Sequence, residues 1–313
     1  MRQFRHLSYA TLCLAFAQIV FGAIVRITGS GMGCGDDWPK CLGAWFPPLD
    51  RADLIIEISH RYIALALSIA VVALLIMALI RRKDRGVSGV AGRGGILAPT
   101  ATAAALVLAA ALLGAATVKF GLHPLVIVAH LAIAMALLAV LALITVRSGG
   151  LGGSVTLEVE TARTHRAARI AVAMAFPVLV LGAITANLPG AAISCGGFPW
   201  CRSVNSGGIG LAVQIVHRVL AFLLFGHLWG IAAAVARRRE PTVIVRAARV
   251  AFGSVLAQIV VAAAMVEMTL PAVLRSLHQT VGTFAWLAIV VLAILSAASP
   301  GLRTGSGEMR VGA

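Results

Sequence analysis

The sequence predicts an all-α integral membrane protein: eight transmembrane helices arranged as two pseudo-symmetric four-helix bundles. Three observations predict it. The chain is 60% hydrophobic and only 12% charged. Its apolar residues come in runs of about 20, the length a helix needs to cross the hydrocarbon core, and these runs lack the polar face of a soluble helix. A short pattern is also written twice, its two His-Arg pairs 157 residues apart.

The eight runs are 8–27, 60–80, 96–118, 124–146, 168–187, 211–236, 245–266 and 272–298. The first follows Arg2 and Arg5 as a signal peptide would. It is of span length with no small-residue cleavage site after a short core, so it reads as a retained helix. Its Cys13 reads as a small core residue. The second run opens on His60-Arg61. The fourth opens at Pro124, six residues before His130. The fifth repeats Gly22-Ala23-Ile24 of the first as Gly182-Ala183-Ile184, and Pro177 is positioned to kink it. The sixth opens on His217-Arg218, matching the second. The eighth follows Pro271, seven residues before His278. Gly22, Gly114, Gly182 and Gly226 read as close-packing positions between helices, with no chemistry implied.

These matches make the chain an internal duplication. Residues 1–146 form one half and 168–298 the other. A Gly-rich then polar linker covers 147–167, a shorter similar loop covers 81–95, and 299–313 is expected to be a disordered tail. Four spans per half insert both halves the same way up, related by an axis along the membrane normal.

The net charge of +15 does not mark a nucleic-acid binder. The segments on the side of the N-terminus hold 18 of the 26 basic residues. The positive-inside rule then places both termini in the cytoplasm and the two cysteine loops on the outer face of a bacterial plasma membrane.

Four of the five cysteines lie in those outer loops, Cys34 with Cys41 and Cys195 with Cys201. That compartment is oxidising, and the spacing is wider than zinc sites use. Glycines and a proline around each pair suit a tight disulfide-closed loop. A staple over the bundle and a redox or substrate-handling role are both open.

His60, His130, His217 and His278 fall on four helices, two per half, within ~10 Å of the outer end of the apolar region at ~1.5 Å per residue. Facing imidazoles can hold a haem iron from both sides. His6 and His165 read as solvated on the cytoplasmic side. His123 and His227 have no counterpart in the other half. Arg61 and Arg218 are placed to meet haem propionates or lipid phosphates. Glu57 lies three residues before His60, where the second copy has Gln214. A carboxylate in one copy alone suggests unlike roles: proton transfer or charge stabilisation in the first half, against the plainer reading of a water-exposed interfacial acid. The residues by themselves also allow a di-haem electron carrier, such as a quinone or ferric reductase, or a haem transporter.

The sequence resembles the haem A synthase family, in the bacterial form with cysteine pairs in both outer loops. The resemblance rests on Thr28-Gly29-Ser30-Gly31-Met32-Gly33-Cys34, Asp37-Trp38-Pro39-x-Cys41 and Glu57-x-x-His60-Arg61. It continues through His130, the second cysteine pair, His217-Arg218 and His278. It implies an oxidoreductase that converts the ring methyl of haem O to a formyl group, giving haem A for cytochrome oxidase. It implies a resident haem b in the C-terminal half, ligated by His217 and His278 with Arg218 nearby. Substrate haem would lie between His60 and His130, with Glu57 and the Cys34–Cys41 pair as catalytic candidates. Haem O synthase, a quinone or other membrane electron acceptor, and a second copy of the chain are the partners to expect.

Overall fold

The computed structural model describes residues 2–83, 95–153 and 161–297. The tail at 299–313 lies outside the described residues. Eight helices carry the fold: α1 (Arg2–Ile27), α2 (Ala52–Ile80), α3 (Leu97–Lys119), α4 (Pro124–Arg147), α5 (Ala162–Asn187), α6 (Ile209–Arg237), α7 (Thr242–Glu267) and α8 (Ala272–Ser296). All are long and apolar enough to span a bilayer. Among the described residues, sheet is limited to a two-residue antiparallel ladder, Cys195–Gly196 against Ser203–Val204. The protein is therefore an all-α multi-span membrane protein.

The helices overrun the predicted spans at their polar ends. α2 starts at Ala52 rather than 60, α5 at Ala162 rather than 168, and α6 at Ile209 rather than 211. Hydropathy reports the hydrocarbon layer, whereas a helix can continue into the headgroup region on its own backbone hydrogen bonds. Glu57, His60 and His217 consequently lie well inside helices, not at their first residues. α5 runs unbroken through Pro177.

Neighbour packing divides the helices into two rings of four. α1 packs on α2, α2 on α3 and α3 on α4, and α4 closes back on α1. α5 to α8 repeat that order and closure. The rings meet where α8 packs against α1 and α4, and α4 against α5. At this seam the Trp286 indole donates to the Met135 carbonyl at 3.0 Å, and Phe176 tilts against Trp286 with ring centres 5.7 Å apart. A buried indole N–H needs such an acceptor.

The outward faces are apolar. Leu65, Ile69, Val72 and Ile76 form an exposed stripe on α2, and Val216, Val219 and Leu223 another on α6. Exposed apolar surface of this extent suits lipid rather than water. Cys13 belongs to this outer face and not to the core: Leu12 and Ala15 take the buried side of its turn.

Both cysteine loops lie at one end of the rings, as do the short turns after α3 and α7. Lys119, closing α3, sits 3.8 Å from Asp36 in the first loop, and Glu267, closing α7, pairs with Arg202 in the second. The opposite end is tied by a Ser8–Ser148 contact at 3.2 Å and by Thr161 donating to the Ser296 carbonyl at 2.6 Å.

Candidate functional site

Each loop enters through a left-handed glycine, Gly29 (φ 71°) or Gly190 (φ 75°), a conformation that costs glycine least. Each then makes a single 3₁₀ turn, Ser30–Met32 or Ala191–Ile193. Cys34 and Cys41 are disulfide-bonded with Cα atoms 4.7 Å apart, as are Cys195 and Cys201 at 5.1 Å. Alkylation of the air-equilibrated membrane protein without reductant should therefore leave these four cysteines unlabelled by mass spectrometry. Labelling of Cys195 and Cys201 would contradict the pairing.

The side chain three residues before each helical histidine latches the loop down. Glu57 Oε2 accepts the Cys34 N–H at 2.8 Å, and Gln214 Oε1 accepts the Cys195 N–H at 2.8 Å. The arginine after each histidine completes the latch. Arg61 donates to the carbonyls of Asp37 (2.8 Å) and Lys40 (2.6 Å). Arg218 donates to Gly197 (2.7 Å), Pro199 (3.3 Å) and Cys195 (3.0 Å). The sequence left these arginines between propionates and lipid phosphates; the structure has both on loop carbonyls, Arg61 through one terminal nitrogen and Arg218 through two.

The two latches differ in charge. Glu57 also pairs with Arg61 at 2.5 Å, their side chains 5% and 13% exposed. Glu57 is thus a buried, paired carboxylate and not a water-exposed acid. Gln214 carries no charge and donates instead to the Ala192 carbonyl at 3.2 Å.

The four histidines come in two pairs, one per ring. His60 on α2 and His130 on α4 are close enough for their imidazoles to interact electrostatically, as are His217 on α6 and His278 on α8. His217 Nδ1 lies 2.9 Å from the Val178 carbonyl, so Nδ1 carries the proton and Nε2 keeps its lone pair for a metal. His60 Nδ1 is buried with no hydrogen-bond partner. A buried polar atom left unpaired costs about 1–3 kcal/mol, and here it fits a site that a ligand completes. Two imidazoles per ring match the two axial positions of a haem, so the donor set fits that group.

A family model described as cytochrome oxidase assembly protein matches residues 5–55 and 51–290. The haem A synthase of Bacillus licheniformis is 30% identical over 246 residues, covering 74% of each chain. The chain belongs to the haem A synthase family. The haem A synthase of Bacillus pumilus is 30% identical over 227 residues (71% of each chain), and that of Geobacillus kaustophilus 28% identical over 254 residues (75% of this chain, 73% of the relative).

Room for the imidazoles has to come from neighbouring helices, and glycines provide it. A Cβ at Gly22 would come within 3.0 Å of His60 Cε1, one at Gly182 within 3.0 Å of His217 Cε1, and one at Gly114 within 3.4 Å of His130 Cε1. Three of the four glycines read as simple packing positions therefore carry the histidines; only Gly226 faces open space. Gly182→Leu should lower haem occupancy while leaving helix content unchanged, measured by the haem-to-protein ratio and circular dichroism. Unchanged occupancy would show that His217 does not need this face.

Two glutamines escaped notice in the sequence. Gln18 Nε2 lies 3.2 Å from His60 Nε2 and donates to the His60 carbonyl at 3.1 Å. Gln258 Nε2 lies 3.1 Å from both ring nitrogens of His278, and a Cβ at Gly282 would press on Gln258. The Oε1 atoms of both glutamines are buried and unpaired. The signal was available: an amide inside an apolar span is costly and tends to face a site.

The remaining histidines stay outside the pairs. His227 Nε2 takes the Ala167 carbonyl at 2.9 Å, the partner its depth demands. His165, expected to be solvated, is half-buried with Nδ1 3.1 Å from the Ala293 carbonyl. His6 and His123 are exposed.

Proposed function

We propose that the protein oxidises the ring methyl of haem O to a formyl group, producing haem A for cytochrome oxidase. The observation that carries this reading is a buried carboxylate beside one of two similar histidine sites and not the other. Both have a disulfide loop, a latch and a glycine-cleared imidazole, and only the first has a buried carboxylate beside it. The first half, 1–146, is then the substrate half, with haem O between His60 and His130. The second half, 168–298, holds a resident haem b through His217 and His278, and a pseudo-two-fold axis along the membrane normal relates the halves.

Turning a methyl into a formyl group removes electrons and adds one oxygen. With water as donor, R–CH₃ + H₂O gives R–CHO + 4 H⁺ + 4 e⁻. Bound haem supplies a one-electron path toward an acceptor of the quinone class. This chain's residues hold the rest. His60 and His130 fix the substrate's plane. Glu57, one turn before His60, and Arg61, the residue after it, set the charge there, and Glu57 accepts a proton as the methyl is oxidised. The cysteine loops, latched over both rings, keep bulk water from that edge. The bacterial plasma membrane, with both termini cytoplasmic and the loops outside, is the setting that the charge distribution supports.

Expression with a haem O supply, followed by extraction and chromatography of the haems, tests the reading. Haem A in the extract supports it. Folded, haem-loaded protein that forms no haem A would leave a di-haem electron carrier in its place.

A further inference from the structure

Eight basic residues lie at the cysteine-loop end: Arg26, Lys40, Arg51, Arg61, Lys119, Arg202, Arg218 and Arg275. Six have partners that occupy them. Lys40 sits over the Trp45 ring at 5.9 Å, Arg51 pairs with Asp53 at 2.5 Å, and Lys119 and Arg202 pair with Asp36 and Glu267. Arg61 and Arg218 hold the loops.

Arg26 and Arg275 are different. They stand close enough to repel one another at the seam, where α1 packs on α8. Arg26 donates once, to the Ala186 carbonyl at 3.2 Å. Arg275 Nε is buried without a partner. Among the described residues neither meets a carboxylate. Two half-buried guanidiniums near each other without an anion are costly, and their rigid donor forks match carboxylate geometry.

Their place in the helices says which anion. Arg275 is three residues before His278, on the same face of α8. Arg26 is one turn beyond Gly22, the residue that clears the face of His60. Side chains lean toward the N-terminus of their helix, so Arg26 leans back toward the depth of His60 and Arg275 leans toward the loop end. The pair thus lies between the two histidine sites, near the outer edge of each.

We propose that Arg26 and Arg275 form a carboxylate-binding clamp at the seam that receives a porphyrin propionate from the haem held by the adjacent histidine pair; this rests on the haem reading above. With Arg61 and Arg218 occupied by the loops, Arg26 and Arg275 are the arginines left at that edge, among the described residues, with neither a loop nor a carboxylate.

The test uses the full chain, produced without haem, purified in detergent, and titrated in the Soret band with protohaem or its dimethyl ester. The wild type should bind the free acid about 10- to 100-fold more tightly than the ester, the range charge-assisted hydrogen bonds give. Arg275→Gln and Arg26→Gln should bind both forms at the wild type's ester affinity, and Arg275→Lys should recover part of the discrimination. Equal wild-type affinities, or full discrimination retained in both glutamine variants, would overturn the clamp. So would variants that lose a co-purifying anionic phospholipid yet keep discriminating, because the pair would then hold lipid phosphate. Wild-type protein that takes up neither porphyrin would instead count against the haem reading itself.

Discussion

His217→Ala or His278→Ala should abolish the resident haem signal, with the purified variant retaining helix content and both disulfides. His217 has the geometry that the proposed ligand role requires. Its Nδ1 is held by the Val178 carbonyl at 2.9 Å, and a Cβ at Gly182 would come within 3.0 Å of its ring. Loss of the groups that merely orient a ligating histidine costs 10- to 100-fold in affinity in comparable sites. Loss of the histidine itself should cost at least about 100-fold. The measurement is the pyridine haemochrome ratio of haem to protein beside the wild type. The same replacement at His60 or His130 should leave that resident signal largely in place, because those residues belong to the other ring. Full haem occupancy with unaltered low-spin ligation in both C-terminal variants would reverse the assignment of halves.

The fold was legible because bilayer hydrophobicity is a property of single residues summed over a window. Eight spans and the loop disulfides could be read from composition and spacing. Helix ends were less legible, since the polar turns at Ala52–Ser59 and Ala162–Ala167 are helical without being apolar. Cys13 failed for a related reason: in a membrane protein a small apolar residue sits as well against lipid as in the core, and only helical phase decides. The histidines, cysteines and Glu57 stood out by residue type. Their supports did not. Gly22, Gly114 and Gly182 resemble every other small residue of a tightly packed membrane helix until the imidazole beside each is seen. Arg218 could not be placed because its partners are backbone carbonyls, which no sequence pattern displays, and Arg61 adds two such carbonyls to its pair with Glu57.

Glu57→Gln should retain folding, the Cys34–Cys41 disulfide and haem loading, yet lower haem A formation by about 100-fold, the lower end of what a positioned acid or base contributes. The chain contains its own control for this substitution. Gln214 accepts the Cys195 N–H at 2.8 Å just as Glu57 accepts the Cys34 N–H at 2.8 Å, and Arg218 holds its loop with no acid beside it. A glutamine at 57 can therefore latch the first loop as the second copy does, and what it removes is the charge and the proton-accepting oxygen. Glu57→Ala is a different experiment. It leaves the Cys34 N–H and the Arg61 guanidinium without their buried partner, a change that costs about 3–5 kcal/mol when one member of a buried pair is removed. That variant should lose the loop and the activity together. Comparing the two separates the latch from the chemistry. If Glu57→Gln turns over haem O at the wild-type rate while Glu57→Ala fails, the carboxylate is a fastener and the difference between the halves must lie elsewhere. If Glu57→Gln keeps its disulfide and haem but loses turnover, the charge that only the first copy carries is what makes that copy the reacting one.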